Sequence, residues 1–406
     1  MKKVVFSCLF LFPLLLKAGG YQINTQGQKA LSMGGSVTGL ALDASVSYFN
    51  PAGLSALDSN YFNFGVSLLM PQSAFLGPYG GSEQMSSLLL TPTHIYGNYT
   101  FNEKIAFGLS INTPFVLGTK WDDNWSGRYV SQESRISTIF IQPTISYKIN
   151  DKISFGAGPI IVTGNAKWRR ALNVLNQDGS DGQLEMKGAG NGFGFNAGIF
   201  ARLGKFSAGI SYRSEVKLDL DNGEAVFSNI PSSLINNGTY VNEAKFKSSL
   251  TLPSVISLGI GRTISEKLIA NLDVNYTGWS VYDSLSFDFP DHPEFNSSVA
   301  RKLENSFAVR LGVQYQYSEK LQLRGGIGYD QSPVQDGYLL PEMPDADKVI
   351  LSAGCTFKLK KGWSMEGTFA FQDLRERKEE KNRQYNINGT YKSYLYVLGL
   401  GLQYQF

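Results

Sequence analysis

Residue types that carry out acid–base, nucleophilic or metal chemistry are scarce in this chain of 406 residues. It has only two histidines, and a hydrolase would need one of them to pair with a serine and an acid. His94 lies near the start of a predicted strand and His292 lies in an Asp-His-Pro loop, and the sequence indicates no such partners for either. Two histidines without a Cys/His cluster also argue against a metal site. We therefore predict no catalytic residue, no metal and no cofactor.

The last strand of the chain alternates between an apolar face and a more tolerant one. Every second residue from the C-terminus is apolar or aromatic: Phe406, Tyr404, Leu402, Leu400, Leu398, Tyr396 and Tyr394. Aromatic residues at both ends of a leucine band are typical of a strand that crosses an outer membrane. Phe406 on the apolar face also resembles the signal that bacterial outer-membrane proteins present to the barrel-assembly machinery. An edge strand of a soluble sheet is the alternative.

The first residues have the pattern of a secretory signal. A basic start precedes an apolar run over residues 4–16, and small residues suited to cleavage follow near Ala18. A run of this length is too short to span a membrane as a helix. We assign residues 1–18 to a signal peptide, whose removal takes Cys8 with it and leaves Cys355 without a disulfide partner.

Between these ends, short and long connections alternate. Six short polar turns recur, at residues 101–104, 149–152, 202–205, 264–267, 317–320 and 359–362. Seven longer connections lie between them, at about residues 71–92, 114–134, 168–189, 221–242, 282–302, 333–346 and 377–389. Six turns and seven loops require 14 strands, and outer-membrane barrels have even strand numbers, short periplasmic turns and long outer loops. We predict an all-β, 14-stranded antiparallel transmembrane barrel over residues 59–406, unless a loop hides a further hairpin.

The same alternation assigns the charged residues of the strands to one face. Arg310, Arg324, Asp330 and Glu366 each fall on the side opposite the apolar band. An arginine facing lipid near the midplane costs about 2–4 kcal/mol, so we expect all four side chains to face the lumen. The formal net charge of only +3 argues against nucleic acid as a partner.

The segment before the first strand, residues 19–58, is rich in small residues and has no long alternating run. A barrel of 14 strands is too wide for wall side chains to fill, so such barrels hold a channel or a plug. We predict that this segment is a hatch inside the lumen. It contains the run Asn50, Pro51, Ala52 and Gly53, which taken alone is also consistent with a plain turn.

Four motifs, in order along the chain, carry a resemblance to a known family. They are Asn50-Pro51-Ala52, residues 252–259 followed by Tyr276-Thr277-Gly278-Trp279-Ser280, residues 323–334, and residues 341–354 with Pro344-Asp345-Ala346-Asp347 at their centre. Over nearly the whole chain after residue 18, the sequence resembles the FadL-type outer-membrane transporters of long-chain fatty acids and other hydrophobic compounds. The resemblance implies a transporter in the bacterial outer membrane and no enzymatic activity.

The resemblance also implies a transport route. Substrate would collect in a groove between the long outer loops and enter an apolar pocket above the hatch. After the hatch shifts, it would leave sideways through a gap made by an inward kink in the third strand. Gly108, Asn112 and Pro114 are the candidate kink residues, because glycine permits bends and proline interrupts a ladder. Pro114 is equally compatible with a plain end of the strand.

A carboxylate head group inside an apolar pocket needs a cation, and the family places basic residues near the outer end of the barrel. By resemblance, the candidates are Lys167 and Arg170 in one segment and Arg301 and Lys302 in another. Glu304 departs from the family pattern at the second position, which leaves a neutral hydrophobic ligand open. Arg170 is also compatible with a solvated loop charge or a lipopolysaccharide contact.

The resemblance implies as partners a long-chain fatty acid or similar hydrophobic molecule, together with the lipid and lipopolysaccharide of the outer membrane, and we expect a monomer. A general diffusion porin for small polar solutes is the alternative function. An open porin lacks a plug and has a polar constriction, so the plug-like N-terminal segment favours the transporter.

Overall fold

The computed structural model describes residue 20, residues 22–23, 26–174 and 176–406, and the predicted signal peptide lies outside these residues. Fourteen antiparallel strands form a barrel, as predicted. The barrel is closed because its first strand, β1, pairs with its last, β14, from Tyr61↔Gln405 to Leu76↔Thr390. Among the described residues, no helix is long and apolar enough to cross a membrane.

Nine strands are continuous and five are interrupted once. They are β1 Tyr61–Leu76, β2 Thr93–Thr100, β3 Ile105–Asn112 and Val116–Lys120, β4 Glu133–Lys148, β5 Ile153–Leu172, β6 Gly182–Leu203, β7 Phe206–Arg213 and Val216–Ser228, β8 Glu243–Leu252 and Val255–Ser265, β9 Leu268–Thr277 and Ser284–Asp288, β10 Ser297–Ala300 and Ser306–Gln316, β11 Leu321–Asp330, β12 Lys348–Lys358, β13 Trp363–Leu374 and β14 Gly389–Gln405. Two further short strands lie in the long connections. Ser82–Gln84 pairs with the end of β1, and Arg377–Glu379 pairs with the start of β14.

The six short turns have the local chemistry of tight turns. In the β2–β3 turn, Asn102 Oδ1 accepts hydrogen bonds from the backbone N–H groups of Lys104 and Ile105, both at 2.8 Å. Asn150 repeats this arrangement between β4 and β5. An asparagine that bonds the backbone two and three residues on replaces ladder hydrogen bonds at a reversal. The β6–β7 turn instead uses Gly204 at φ 65°, a conformation that glycine adopts without strain.

The long connections contain fewer residues than the sequence predicted, because several strands continue through residues that were expected in loops. β5 and β6 have 20 and 22 residues, about twice the 9–11 residues that a tilted strand needs to cross a bilayer. Their outer halves therefore rise above the membrane. There the outward face meets water, so polar residues no longer distinguish a loop from a strand.

The two faces of the wall differ as the alternation predicts. Leu400 and Leu311 point outward, with 66% and 45% of their surface exposed. Arg310, Arg324 and Glu366 lie on the opposite, buried face, as does Asp330. Arg310 donates two hydrogen bonds to Asp330, at 2.9 and 2.7 Å, so these two lumenal charges compensate each other.

The N-terminal segment, residues 20–58, contacts lumenal side chains around the barrel. It contains two short helices, α1 Gln28–Ser32 and α2 Val46–Phe49, and the 3-10 helix Pro51–Ala56. Asp273 of β9 accepts hydrogen bonds from Val37 N and Thr38 N at 2.8 and 2.9 Å. On the other side of the lumen, Gln28 bonds Ser67 of β1 at 3.3 Å.

Glycines in the wall permit a direct backbone approach of this segment. A Cβ on Gly326 of β11 would lie 2.1 Å from Gly34 N, and a Cβ on Gly209 of β7 would lie 2.0 Å from Thr38 O. Both distances are far below any real contact, so side chains at these positions would displace the segment. The wall and the N-terminal segment are therefore fitted to each other through residues that have no side chain.

Candidate ligand path

A cavity of about 350 Å³, lined by apolar and charged side chains, lies among the outer strand ends and loops. Its walls include aromatic and aliphatic side chains from β5, β6, β7 and β9: Trp168, Leu184, Met186, Phe227, Leu285 and Phe287. Trp168 and Phe287 meet edge to face with ring centroids 5.1 Å apart. We call this the outer cavity. Aromatic walls of this kind bury apolar ligand surface without many polar contacts.

Two of the four predicted head-group residues line the outer cavity. Arg170 is half-buried there and makes no ion pair within the part of the chain that the structure describes. Arg301 is 6% exposed and forms an ion pair with Glu342. Burial raises the pKa of the Tyr385 hydroxyl and Glu342 raises it further, whereas Arg170 and Arg301 act in the opposite direction. Arg170 is thus the cation in this cavity whose charge is least compensated.

The other two predicted head-group residues lie elsewhere. Lys167 forms ion pairs with Glu133 and Glu185, both at 3.1 Å. Lys302 bonds Asp283 at 2.7 Å on an exposed surface. Neither lysine lines the outer cavity.

Sequence reasoning missed two residues of this site. Arg169 also lines the outer cavity, with its charge paired to Asp123 at 2.5 Å. Glu342, the partner of Arg301, comes from the β11–β12 connection. The sequence shows Glu304 as an acidic departure from the family pattern but gives no signal for Glu342, because 41 positions separate residue 342 from residue 301 and no local pattern brings them together.

A smaller cavity of about 130 Å³ lies deeper, next to the start of the N-terminal segment. It is lined by Gly20, Ile23, Leu69, Val116, Met343 and Leu395. Ile23, Leu69 and Val116 also belong to one buried apolar cluster, against which Leu90 packs. We call this the inner cavity. At its rim, Gly20 N donates a hydrogen bond to Asp345 Oδ2 at 3.1 Å.

The wall is interrupted beside the inner cavity. β2 and β3 pair from His94↔Asn112 to Thr100↔Ala106, and the ladder stops there. After Pro114, β3 resumes at Val116 and pairs with β4 alone. The freed backbone of the break bonds the N-terminal segment, since Ile23 N donates to Pro114 O at 3.0 Å and Gln26 Nε2 to Thr113 O at 3.4 Å.

The three predicted kink residues occupy different places around this break. Pro114 lies within it, and Asn112 is the last paired residue below it. Gly108 lies inside the regular ladder, opposite Asn98 and Thr144. A Cβ on Gly108 would lie 2.7 Å from Leu54 Cδ1, so this glycine accommodates the N-terminal segment.

The Asn50-Pro51-Ala52-Gly53 run forms a fixed turn against the opposite wall. Asn50 is fully buried, and its Oδ1 accepts a hydrogen bond from Ala52 N at 3.2 Å. Its Nδ2 donates to Thr38 O at 3.3 Å and to Ile199 O of β6 at 3.0 Å. Pro51 begins the 3-10 helix at a position where its missing N–H costs nothing. The side chain of Asn50 therefore joins two parts of the segment to the barrel wall.

One buried apolar cluster connects the two cavities. It includes Trp168 and Phe287 of the outer cavity, Met343 of the inner cavity, and Phe115 at the break in β3. Trp121 and Trp125 stack within it at 4.4 Å. Among the described residues, no group of three or more His, Cys, Asp or Glu side chains has the geometry of a metal site. The arrangement is suited to binding and passage of an apolar molecule.

Comparisons with known proteins agree with the fold and the family resemblance. Residues 13–406 match the family described as outer membrane protein transport protein (OMPP1/FadL/TodX). The chain is 25% identical to the long-chain fatty acid transport protein of Escherichia coli, over 96% of this chain and 95% of that protein. It is 24% identical to outer membrane protein P1 of Haemophilus influenzae, over 97% of each chain.

Solved structures resemble the barrel along nearly its full length. A Pseudomonas aeruginosa FadL homologue superposes with a TM-score of 0.86 at 20% identity, covering 96% of this chain and all of that chain. The Pseudomonas putida toluene transporter TodX superposes with a TM-score of 0.72 at 15% identity, covering 96% of this chain and 99% of that one. At these identities the structural similarity concerns the fold alone.

Proposed function

This chain belongs to the OMPP1/FadL/TodX family of outer membrane transport proteins, and we propose that it carries a hydrophobic molecule with one anionic head group across the outer membrane. A long-chain fatty acid is the substrate that best represents this class of molecule. Transport is passive, and the family consists of transport channels, not enzymes. The route runs from the outer cavity to the inner cavity and leaves sideways at the break in β3.

The observation that carries this proposal is the continuity of the apolar lining. A single buried cluster joins Trp168 in the outer cavity to Phe115 at the break in β3. Moving an acyl chain into water costs about 0.8 kcal/mol per CH₂, so a continuous apolar path into the bilayer avoids a cost that grows with chain length. A polar constriction would impose that cost on every molecule that passed.

Arg170 supplies the head-group contact in this proposal. Arg301 is compensated by Glu342 and Arg169 by Asp123, whereas Arg170 has no ion-pair partner among the described residues. A guanidinium at the edge of an apolar cavity favours a carboxylate, which it binds through charge-assisted hydrogen bonds. One uncompensated cation suits a ligand with one negative charge.

The N-terminal segment acts as the hatch, and the break in β3 acts as the exit. The apolar contacts of Ile23, Leu69, Leu90 and Val116 close the exit in the described conformation. Ile23 and Gln26 bond the backbone of the break directly, so a shift of the segment frees the break. Ligand in the inner cavity competes with Ile23 for the same apolar surface.

Binding measurements on the purified protein test the head-group assignment. Arg170→Leu should weaken binding of a labelled long-chain fatty acid by about 1.5–3 kcal/mol, roughly ten- to a hundredfold. Binding of the fatty alcohol of equal chain length should change little, because it carries no charge. Lys302→Leu, which removes an exposed cation outside the outer cavity, is the matched control. Equal loss for acid and alcohol would contradict an ionic role for Arg170.

Vesicle swelling separates the transporter from the porin alternative. Liposomes containing the folded protein should not swell in isosmotic sugar solutions, because the lumen is occupied by residues 26–58. Swelling at the rate of an open porin would reject the transporter. The expected use of Phe406 by the assembly machinery, a lipopolysaccharide contact and a monomeric state remain predictions.

A further inference from the structure

The six short turns give one end of the barrel a strong positive charge. Each turn carries an exposed lysine: Lys104, Lys152, Lys205, Lys267, Lys320 and Lys361. Together the turns contain eight Lys or Arg residues and four Asp or Glu residues. The formal net charge of +3 includes three lysines within residues 1–18, so the charges of the remaining chain cancel. The positive end is therefore balanced by an excess of acidic residues elsewhere. We call the six lysines the basic rim.

The basic rim lies at a defined depth relative to the bilayer. Exposed aromatic residues form an outward belt directly beside it: Phe101, Tyr147, Phe206, Tyr317, Trp363 and Phe406. Aromatic belts mark the boundary between hydrocarbon and head groups. The lysines lie beyond the belt, at the level of the head groups. Arg262 of β8 lies at the depth of this belt, since its guanidinium is 5.1 Å from the centroid of the Phe206 ring.

The cations of the basic rim are available for an external partner. None of the six lysines forms an ion pair with another described residue. In contrast, three of the exposed lysines on the outer halves of β6, β7 and β8 are paired, Lys187 with Glu185, Lys217 with Asp219 and Lys245 with Glu224, whereas Lys247 of β8 has no ion pair among the described residues. The end of the barrel with the short turns therefore presents an unpaired, exposed lysine in every turn.

We propose that the basic rim binds the phosphodiester head groups of anionic phospholipids in the periplasmic leaflet. The six turns are distributed around the whole circumference, which fits an annulus of lipid better than a protein docked on one side. The depth next to the aromatic belt fits head groups. Lipopolysaccharide lies in the other leaflet, beside the long loops. Lysines near an anionic membrane surface attract it over a Debye length.

The test measures the lipid shell of the whole folded protein. Protein in nanodiscs of phosphatidylethanolamine and phosphatidylglycerol at 3:1 is released into the gas phase, and retained lipids are counted by native mass spectrometry. We expect the parent to retain phosphatidylglycerol above its share of the mixture. In the variant with Lys104, Lys152, Lys267 and Lys320 changed to Gln, the enrichment of phosphatidylglycerol among the retained lipids should fall about fivefold. Heat-modifiable gel mobility verifies folding of each variant.

Two further variants make the test directional. Changing Glu103, Glu266 and Glu319 to Gln removes acids from the same turns and should increase the preference. Changing Lys187, Lys217 and Lys245 to Gln removes paired lysines at the other end and should leave it unchanged. The proposal is overturned if the rim variant keeps the parental preference, or if the control variant loses it equally.

Discussion

Lys29 is the only positively charged residue within residues 26–58, and it holds this segment to the barrel. Its Nζ lies 3.2 Å from Asp43 Oδ2 in the same segment and 3.7 Å from Glu366 Oε1 in β13. It also donates a hydrogen bond to Gln403 Oε1 of β14 at 2.6 Å. All these groups are buried. Lys29 therefore joins the segment to the wall through buried charges and a buried hydrogen bond.

Lys29→Met should loosen the N-terminal segment without unfolding the barrel. Removing one member of a buried ion pair leaves the partner charge uncompensated and costs about 3–5 kcal/mol. Hydrogen exchange of amides in residues 26–58 should accelerate, while exchange in β11–β14 stays slow. The triple change Lys29→Met, Asp43→Asn and Glu366→Gln removes both carboxylates as well and should restore part of the protection. Unchanged exchange in the single variant would mean that Lys29 does not hold the segment.

In the element β14, exposed leucines on the lipid face alternate with small and polar residues on the lumenal face. Leu400→Arg should prevent assembly into liposomes, because an arginine near the midplane costs about 2–4 kcal/mol. The lumenal glycines Gly312 and Gly401 are poor controls for this experiment. A Cβ on Gly312 would lie 2.6 Å from Met33 O, and one on Gly401 would lie 2.9 Å from Gln28 Cγ. Serine at either position therefore disturbs the N-terminal segment.

Gly367→Ser on β13 is the better control, since nothing lies within 4 Å of a Cβ built there. It should assemble like the parent. The measurement is the fraction of protein with heat-modifiable mobility after folding into liposomes. Equal assembly of Leu400→Arg and Gly367→Ser would show that the face assignment of β14 is wrong.

The interruption of β3 is the element on which the proposed exit depends. Val116→Trp places a large ring beside a cavity of about 130 Å³, where overpacking costs about 1–3 kcal/mol. Uptake of a labelled fatty acid by cells should fall, because the new ring fills the space between Ile23 and Leu69. Val313→Trp adds the same ring to the lipid face of β10 and should transport normally. Parental uptake by folded Val116→Trp protein would reject this exit.

At the scale of the whole molecule, sequence patterns predicted the fold wherever one face of a strand meets lipid and the other meets the lumen. The alternation in β14 and the six turns predicted the number of strands because each signal is local. The outer strand segments Ser284–Asp288 and Ser297–Ala300 were expected inside a loop, since above the bilayer both faces are tolerant. The contact of Ile23 with Pro114 joins distant parts of the chain. Such contacts depend on how the segment packs in the finished lumen.

The N-terminal segment also determines whether the closed barrel conducts solutes. A 14-stranded wall leaves an aqueous lumen unless something fills it, and residues 26–58 approach the wall so closely that a Cβ on Gly326 would lie 2.1 Å from Gly34 N and a Cβ on Gly209 would lie 2.0 Å from Thr38 O. Deleting residues 26–58 should therefore convert a barrel that does not swell sugar-loaded liposomes into one that does. Deleting residues 77–81, a largely exposed loop tip of the kind that tolerates changes in length, should leave vesicles unswollen.

Folding must be verified before this comparison is made, because the deletion also removes Lys29 and Asn50, which bind the wall. Heat-modifiable mobility identifies folded barrels, and swelling is then scored per folded molecule. The Lys29→Met protein gives a second measurement in a chain of full length, with a smaller increase in swelling expected. If folded deletion barrels remain impermeable to sugars, the long loops close the lumen and the N-terminal segment is not its plug. Permeable parent barrels would instead assign the protein to the diffusion porins.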